Sequence, residues 1–257
     1  MKEYLFSIEG EELDFVFEKK DGAKTIRHYM QASASQLKAE SNVIDTFSLI
    51  LNHEQKMNSN GNKIKYFFHT TMIAFFPIIV HEHYYLVVFN FLKGNTVIID
   101  NSKTKMTYDA KYKTVCELLK KLFSMHLEKL EHPRAKDVLN KKPTILRPKW
   151  GTKENETDCG IFLMMHMEHY NGKTAKNWNL EFPKEDEGNR LDIIKMRVRL
   201  ATKILSHEIN INQEKISTEA QEFARRNTDK NLRKKMTKEA VKTKKEKQES
   251  ERVQSNI

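Results

Sequence analysis

Cys159 stands in the tripeptide Asp158-Cys159-Gly160, which leads straight into the apolar run Ile161 to Met165. A thiol of ordinary pKa, about 8.5, is mostly protonated at neutral pH, so a nucleophilic cysteine needs a neighbouring imidazole, a helix N-terminus, or both. Thr157 and Asp158 are good N-cap types, and Gly160 to Tyr170 is apolar on nearly every side. That pattern predicts a central buried helix with Cys159 in its first turn, where unpaired N–H groups and the helix dipole favour an anion.

Upstream, a hairpin pattern offers the other two groups. Tyr84 to Phe91 is rich in β-branched, aromatic and aliphatic residues, Lys93-Gly94-Asn95 is a turn signal, and Thr96 to Ile99 resumes the strand before Asp100-Asn101-Ser102 ends it. His83 opens the first strand and Asp100 closes the second. Antiparallel pairing brings those two ends together, so a carboxylate can hold one ring nitrogen of the imidazole while the other faces a thiol. His83, Asp100 and Cys159 are therefore candidates for base, orienter and nucleophile of one acyl-transfer site.

Each candidate has a competitor. A lone cysteine opening an apolar helix is commonly a buried structural thiol, His81 lies two residues before His83, and Asn101 follows Asp100 in a segment that can be turn chemistry alone. The interval to Asp100 and the aromatic after it favour His83, with His81 a loop or rim residue. His166 and His169 fall three apart on the predicted helix, but with no second cysteine nearby and no His-Glu-x-x-His they read as packed or hydrogen-bonded, not as metal ligands. Cys116 reads as core.

The His-aromatic strand, the Asp closing the next strand, and Asn155-x-x-Asp158-Cys159-Gly160 opening a buried helix resemble the ubiquitin-like-protein (SUMO) protease family. The resemblance covers roughly residues 35 to 205 and includes Tyr84; Val43-Ile44-Asp45 with Phe47 is similar to an early family helix, and the segment ending in Gly172-Lys173 resembles plant members, including those carried by mobile elements. It implies an α+β, papain-like or adenain-like cysteine protease fold, a small mixed or antiparallel sheet packed on the helix that carries the Cys. It also implies a peptidase or isopeptidase cutting after the Gly-Gly terminus of a SUMO-like or ubiquitin-like protein and its conjugates. In that reading Cys159 is nucleophile, His83 general base and acid, and Asp100 orienter, with no cofactor and no metal.

The chain departs from the family in two places. The family commonly has a Gln six residues before the Cys whose amide helps bind the oxyanion; Lys153 stands there, and loss of one such donor costs on the order of a hundred- to a thousand-fold in turnover. A Lys ammonium can donate too. Near residue 38, where members often carry a Trp over the substrate's Gly-Gly tail, the chain reads Lys38-Ala39-Glu40-Ser41. Tyr84 replaces another common Trp and still offers a flat apolar wall to a glycine pair. These departures leave two alternatives beside hydrolysis, an impaired relative that binds a ubiquitin-like protein, and acyl transfer to another acceptor by the same triad.

Composition frames the site. With 257 residues and 39% apolar content, the chain can bury one good core. Two cysteines make a disulfide framework implausible and suit a reducing, intracellular setting, nucleus or cytoplasm. The first residues are too charged for a signal peptide, and the longest apolar run, Met72 to Val80, is too short to span a membrane.

Of the net charge of +10, more than half lies in residues 221 to 257, where Lys and Arg outnumber Asp and Glu twelve to six. That segment reads as a solvated charged helix or a disordered tail, drawn to nucleic acid only weakly and non-specifically. The expected division is an N-terminal segment 1–34, a catalytic domain 35–207 and a basic tail 208–257. A hairpin is expected around Lys20-Asp21-Gly22, helices over Val43 to Leu51, Tyr112 to Leu130 and Leu191 to Ile209, loops over Asn58 to Asn62 and between Pro133 and Pro143, and strands over Lys65 to His69 and Ile73 to Val80. Pro77 marks the last of these as an edge or bulge.

Overall fold

The computed structural model describes residues 2–6, 13–34, 37–57, 73–91, 93–103, 105–153, 155, 157–178 and 190–255. In chain order these form α1 (Lys2–Leu5), β1 (Phe15–Glu18), β2 (Lys24–Ile26), α2 (Arg27–Ala34), α3 (Ser41–Met57), β3 (Ile73–Val80), β4 (His83–Asn90) and β5 (Asn95–Ile99). There follow α4 (Tyr108–Lys111), α5 (Lys113–Lys129), α6 (Ala135–Asn140), β6 (Thr144–Leu146), α7 (Cys159–His169), α8 (Arg190–Leu205), α9 (Gln213–Arg226) and α10 (Lys230–Ser255). The loop expected over 58–62 and the strand expected over 65–69 lie outside the described residues. The chain groups into two compact units, Met1–Ile50 with Arg190–Ile257, and Leu51–Asn189.

The second unit holds a four-stranded sheet in the order β3-β4-β5-β6. β3 pairs with β4 from Ile73↔Asn90 to Val80↔His83, and β4 with β5 from Leu86↔Ile99 to Asn90↔Asn95, both antiparallel; β6 joins β5 in parallel. β3 is an edge strand, which is why Pro77, lacking an N–H, is tolerated within it. β4 and β5 are buried along almost their whole length. Their pleat divides them. Tyr85, Val87, Phe89 and Ile98 meet Cys116, Phe123, Leu127 and Val138 of α5 and α6 in one core, while α7 packs against β4.

The helical period of Val115, Leu118, Leu119, Leu122, Met125 and Leu127 predicts an amphipathic α5 with these residues on its apolar face, and this expectation changes, as does the loop between Pro133 and Pro143. α5 turns Leu118, Leu122 and Met125 outward, 57%, 56% and 48% exposed, and buries Cys116, Lys120, Phe123, Ser124 and Leu127 instead. Its apolar residues occupy more than one stripe, and the aromatic packing of Phe123 on Phe89 and Phe76, centroids 4.9 and 4.8 Å apart, decides which stripe faces the sheet. Between Pro133 and Pro143, expected as loop, α6 buries Ala135 and Val138.

In the first unit the hairpin expected around Lys20 to Gly22 is present as β1 and β2, with Gly22 at φ +96° in the turn. α8 is fixed on α2 by Arg197, fully buried, whose Nη1 donates to the carbonyls of Ser33 at 2.6 Å and Leu37 at 2.8 Å. The charged C-terminal segment forms α9 and α10. α10 is held by Arg233, paired with Glu3 at 2.8 Å, and by Lys244, only 8% exposed, which donates to Gln31 Oε1 at 2.8 Å. A long lysine stem covers apolar surface while its head keeps polar partners, so even this segment contributes contacts.

Candidate active site

The register that joins Val80 to His83 leaves a two-residue turn, His81-Glu82, with both residues in the left-handed region at φ 47° and 59°. Such mirror-image turns match the twist of a tight hairpin but are costly for residues other than glycine. The turn delivers His83 as the first residue of β4, and His81 is exposed on it. Asp100 follows the last residue of β5. β4 and β5 therefore carry the two side chains to the same end of the sheet, and His83 Nε2 lies 2.9 Å from Asp100 Oδ1.

Cys159 is the first residue of α7. Asp158 precedes it as N-cap, although its carboxylate does not cap the helix. It is held instead by Asn155, whose Oδ1 accepts from Asp158 N at 2.9 Å and whose Nδ2 donates to Asp158 Oδ2 at 2.6 Å. The Cys159 thiol lies 3.9 Å from the Glu82 carbonyl and close enough to His83 to favour a proton on its imidazole, whose Nε2 is engaged by Asp100. His83, Asp100 and Cys159 thus meet. Cys159 is 1% exposed and Tyr84 6%, so Tyr84 presents little open face to a substrate.

Asp100 is bonded through both carboxylate oxygens. Oδ1 also accepts from Ser102 N at 2.7 Å, while Oδ2 takes the Tyr112 hydroxyl and the Lys111 ammonium, each at 2.8 Å. Burial alone would raise its pKa, but the bonds and charges of His83 and Lys111 outweigh that and hold it at about 2. Burial works against a charged His83, and its bonds to Asp100 and the thiol overcome it, raising the imidazole to about 9. Lys111 and Tyr112 escaped the sequence reading, because a Lys-Tyr pair in a helical turn carries no motif.

These shifts set a pH window. Asp100, depressed from 3.8, contributes stability that is complete above about 4 and fades as pH falls towards 2; His83, raised from 6.5, contributes stability that is complete below 6.5 and is lost as pH rises through 9. The difference in melting temperature between the parent and Asp100→Asn is therefore expected to be widest between about pH 4 and 6.5 and to narrow on both sides. A difference that does not vary with pH would separate the melting behaviour from this pair.

Lys153 is exposed. Its neighbour Thr152 is fastened to the strand end that carries Asp100, since Thr152 N donates to Asn101 O at 2.6 Å, Lys103 N donates to Thr152 O at 2.7 Å, and Asn101 Nδ2 donates to Thr152 Oγ1 at 3.0 Å. Asn101 therefore supports the loop and does not contact the imidazole. His166 is buried and accepts from Trp150 Nε1 at 3.0 Å; burial pushes its pKa down to about 3. His169 Nδ1 instead meets the Met165 carbonyl at 3.0 Å, so the two histidines are bonded separately and not to one another. Cys116 is fully buried in the core, where burial raises its thiol pKa. Among the described residues no three His, Cys, Asp or Glu are grouped to hold a metal ion, and no helix is long and apolar enough to cross a membrane.

Residues 23–207 match the model of the Ulp1 protease family, C-terminal catalytic domain. Among solved structures, the chain is similar to the C-terminal Ulp1 protease domain in complex with Smt3, the yeast ortholog of SUMO, at 18% identity over 81% of this chain and 93% of that one, with a TM-score of 0.55. It is likewise similar to SUMO protease Ulp1 with its catalytic cysteine oxidised to a sulfinic acid, at 15% identity over 81% and 94%, with a TM-score of 0.56. At these identities the likeness speaks to the fold, which is the Ulp1-type α+β arrangement. No curated protein matches the chain.

Proposed function

Because the chain belongs to the Ulp1 protease family of cysteine peptidases, we propose that it cleaves the bond after the Gly-Gly terminus of a SUMO-like protein, either in a precursor or in a conjugate to lysine. The observation that carries this reading is the convergence of His83, bonded to Asp100 at 2.9 Å, with the Cys159 thiol at the N-terminus of α7. The near-complete burial of Cys159 supports it further, because a glycine pair, with no side chains, is the kind of chain that reaches a recessed thiol.

The steps follow from these groups. His83 takes the thiol proton, and the Cys159 thiolate attacks the carbonyl of the terminal glycine. The oxyanion of the tetrahedral intermediate is met by the Cys159 N–H in the first turn of α7, and the exposed Lys153 stands where a second donor, an amide, would be expected. As the intermediate collapses, protonated His83 gives its proton to the leaving amine, leaving a thioester on Cys159. His83 then removes a proton from water as it attacks the thioester, and the glycine carboxylate departs. Asp100 holds the imidazole in the required tautomer and orientation throughout.

Hydrolysis of an isopeptide-linked SUMO pair and of a SUMO precursor, followed by the appearance of free SUMO and compared with ubiquitin substrates, tests the assignment. Release from SUMO substrates is expected, and persistence of both with a folded protein would contradict it. Lys153 supplies a second prediction. Restoring an amide with Lys153→Gln is expected to raise the turnover number, by up to about a hundred-fold if the ammonium is a poor oxyanion donor. A turnover number that falls would mean that Lys153 already serves.

A further inference from the structure

Asp100 has more positive company than an orienting carboxylate requires. His83 occupies Oδ1, and on Oδ2 the Lys111 ammonium sits at 2.8 Å beside the Tyr112 hydroxyl. Lys111 is the last residue of the four-residue α4. Its side chain is 17% exposed and that of Asp100 1%, so the ammonium reaches from the rim onto a sealed carboxylate, where salt and water screen the pair far less than at the surface. Two effects follow. The carboxylate keeps a counter-charge whatever the protonation of His83, and the same positive charge opposes a proton on His83, an influence in the expected downward direction.

We propose that Lys111 is a positioning residue for the His83–Asp100 pair, a standing counter-charge that keeps Asp100 ionised and turned to His83 while limiting how firmly His83 retains its proton. This rests on the triad reading above. An imidazolium held by an unopposed buried carboxylate would give up its proton reluctantly to a leaving amine, and general acid–base groups work best when their pKa lies near the operating pH. Among the described residues, other titratable or charged groups acting on the pair or its near neighbours include Tyr85 on β4, Tyr112 beside α4, Cys116 on α5, Cys159, His166 and His169 on α7, and Arg147 after β6. Burial raises both tyrosines and keeps His166 neutral, so they do not change charge near neutral pH. Beside His83 itself, Lys111 is a cation in direct contact with Asp100.

The test is the titration of His83 in the full chain, followed by NMR of ring-labelled histidine and assigned from the signal lost in His83→Asn. In Lys111→Met the His83 midpoint is expected to rise by about one pH unit, in Lys111→Arg to stay near the parent's, and the high-pH limb of the pH–rate profile to move likewise. Lys111→Gln takes the place of the methionine variant if that does not fold. An unmoved midpoint in a folded neutral variant, or the same rise in Lys111→Arg, overturns the proposal. Because the titration needs no turnover, a chain whose Lys111 variants show these shifts but whose parent forms no adduct with a Gly-Gly electrophile refutes the protease reading and leaves the Lys111 assignment standing.

Discussion

Cys159→Ala is expected to lower turnover on a SUMO-linked substrate by about a million-fold, the scale on which removing a covalent nucleophile acts, while the melting temperature stays within a few degrees of the parent's. The two halves of the prediction have different origins. Loss of the sulfur removes the only atom that can form the thioester, and no neighbouring group substitutes, since His83 lacks a second nucleophile to activate and Cys116 lies sealed in the core on the α5 side of the sheet. Stability changes little because one buried atom is removed from the first turn of α7, which remains packed on β4, at a cost of about 1 kcal/mol. Binding of a SUMO-like protein should survive. Turnover within a hundred-fold of the parent would mean that another residue attacks the carbonyl.

Asp100→Asn is the second large effect, and here activity and stability fall together. The amide is nearly the same size, but its nitrogen can donate to His83 Nε2, which favours the tautomer that leaves no base facing the thiol; substitutions of this kind cost roughly ten-thousand-fold. The same change leaves the Lys111 ammonium and the Tyr112 hydroxyl, both now 2.8 Å from Oδ2, without a negative partner. Unpairing a buried ion pair costs about 3 kcal/mol, so the variant should unfold at clearly lower denaturant concentration. Retention of turnover within ten-fold would remove Asp100 from the role of orienter, and an unchanged unfolding midpoint would show that Lys111 finds another partner.

Local pattern carried much of this architecture. The β-branched, aromatic and aliphatic run from Tyr84 and the Lys93-Gly94-Asn95 turn marked a hairpin whose strands the structure forms as His83–Asn90 and Asn95–Ile99, and the all-round apolar run after Cys159 marked a buried helix formed as Cys159–His169. Such signals depend on residues a few positions apart. What escaped depends on choices made at a distance. α5 has apolar residues on more than one face, and only the sheet it meets decides that Phe123 goes in and Leu122 stays out. Lys111 and Tyr112 reach Asp100 because a short helical turn folds back over the strand end, and neither residue type announces that. The tie between Asn155 and Asp158 is local, yet Asp158 before a helix suggests ordinary capping, where the structure bonds it to Asn155.

The most direct test is to incubate the chain with a SUMO protein whose C-terminal glycine carries a carbon electrophile, beside the Cys159→Ala and His83→Ala variants. A stoichiometric covalent adduct mapping to the peptide that contains Cys159, absent from Cys159→Ala and strongly slowed in His83→Ala, is the expected result. An adduct that persists in Cys159→Ala, or a parent that binds the probe yet never captures it, would contradict Cys159 as the nucleophile.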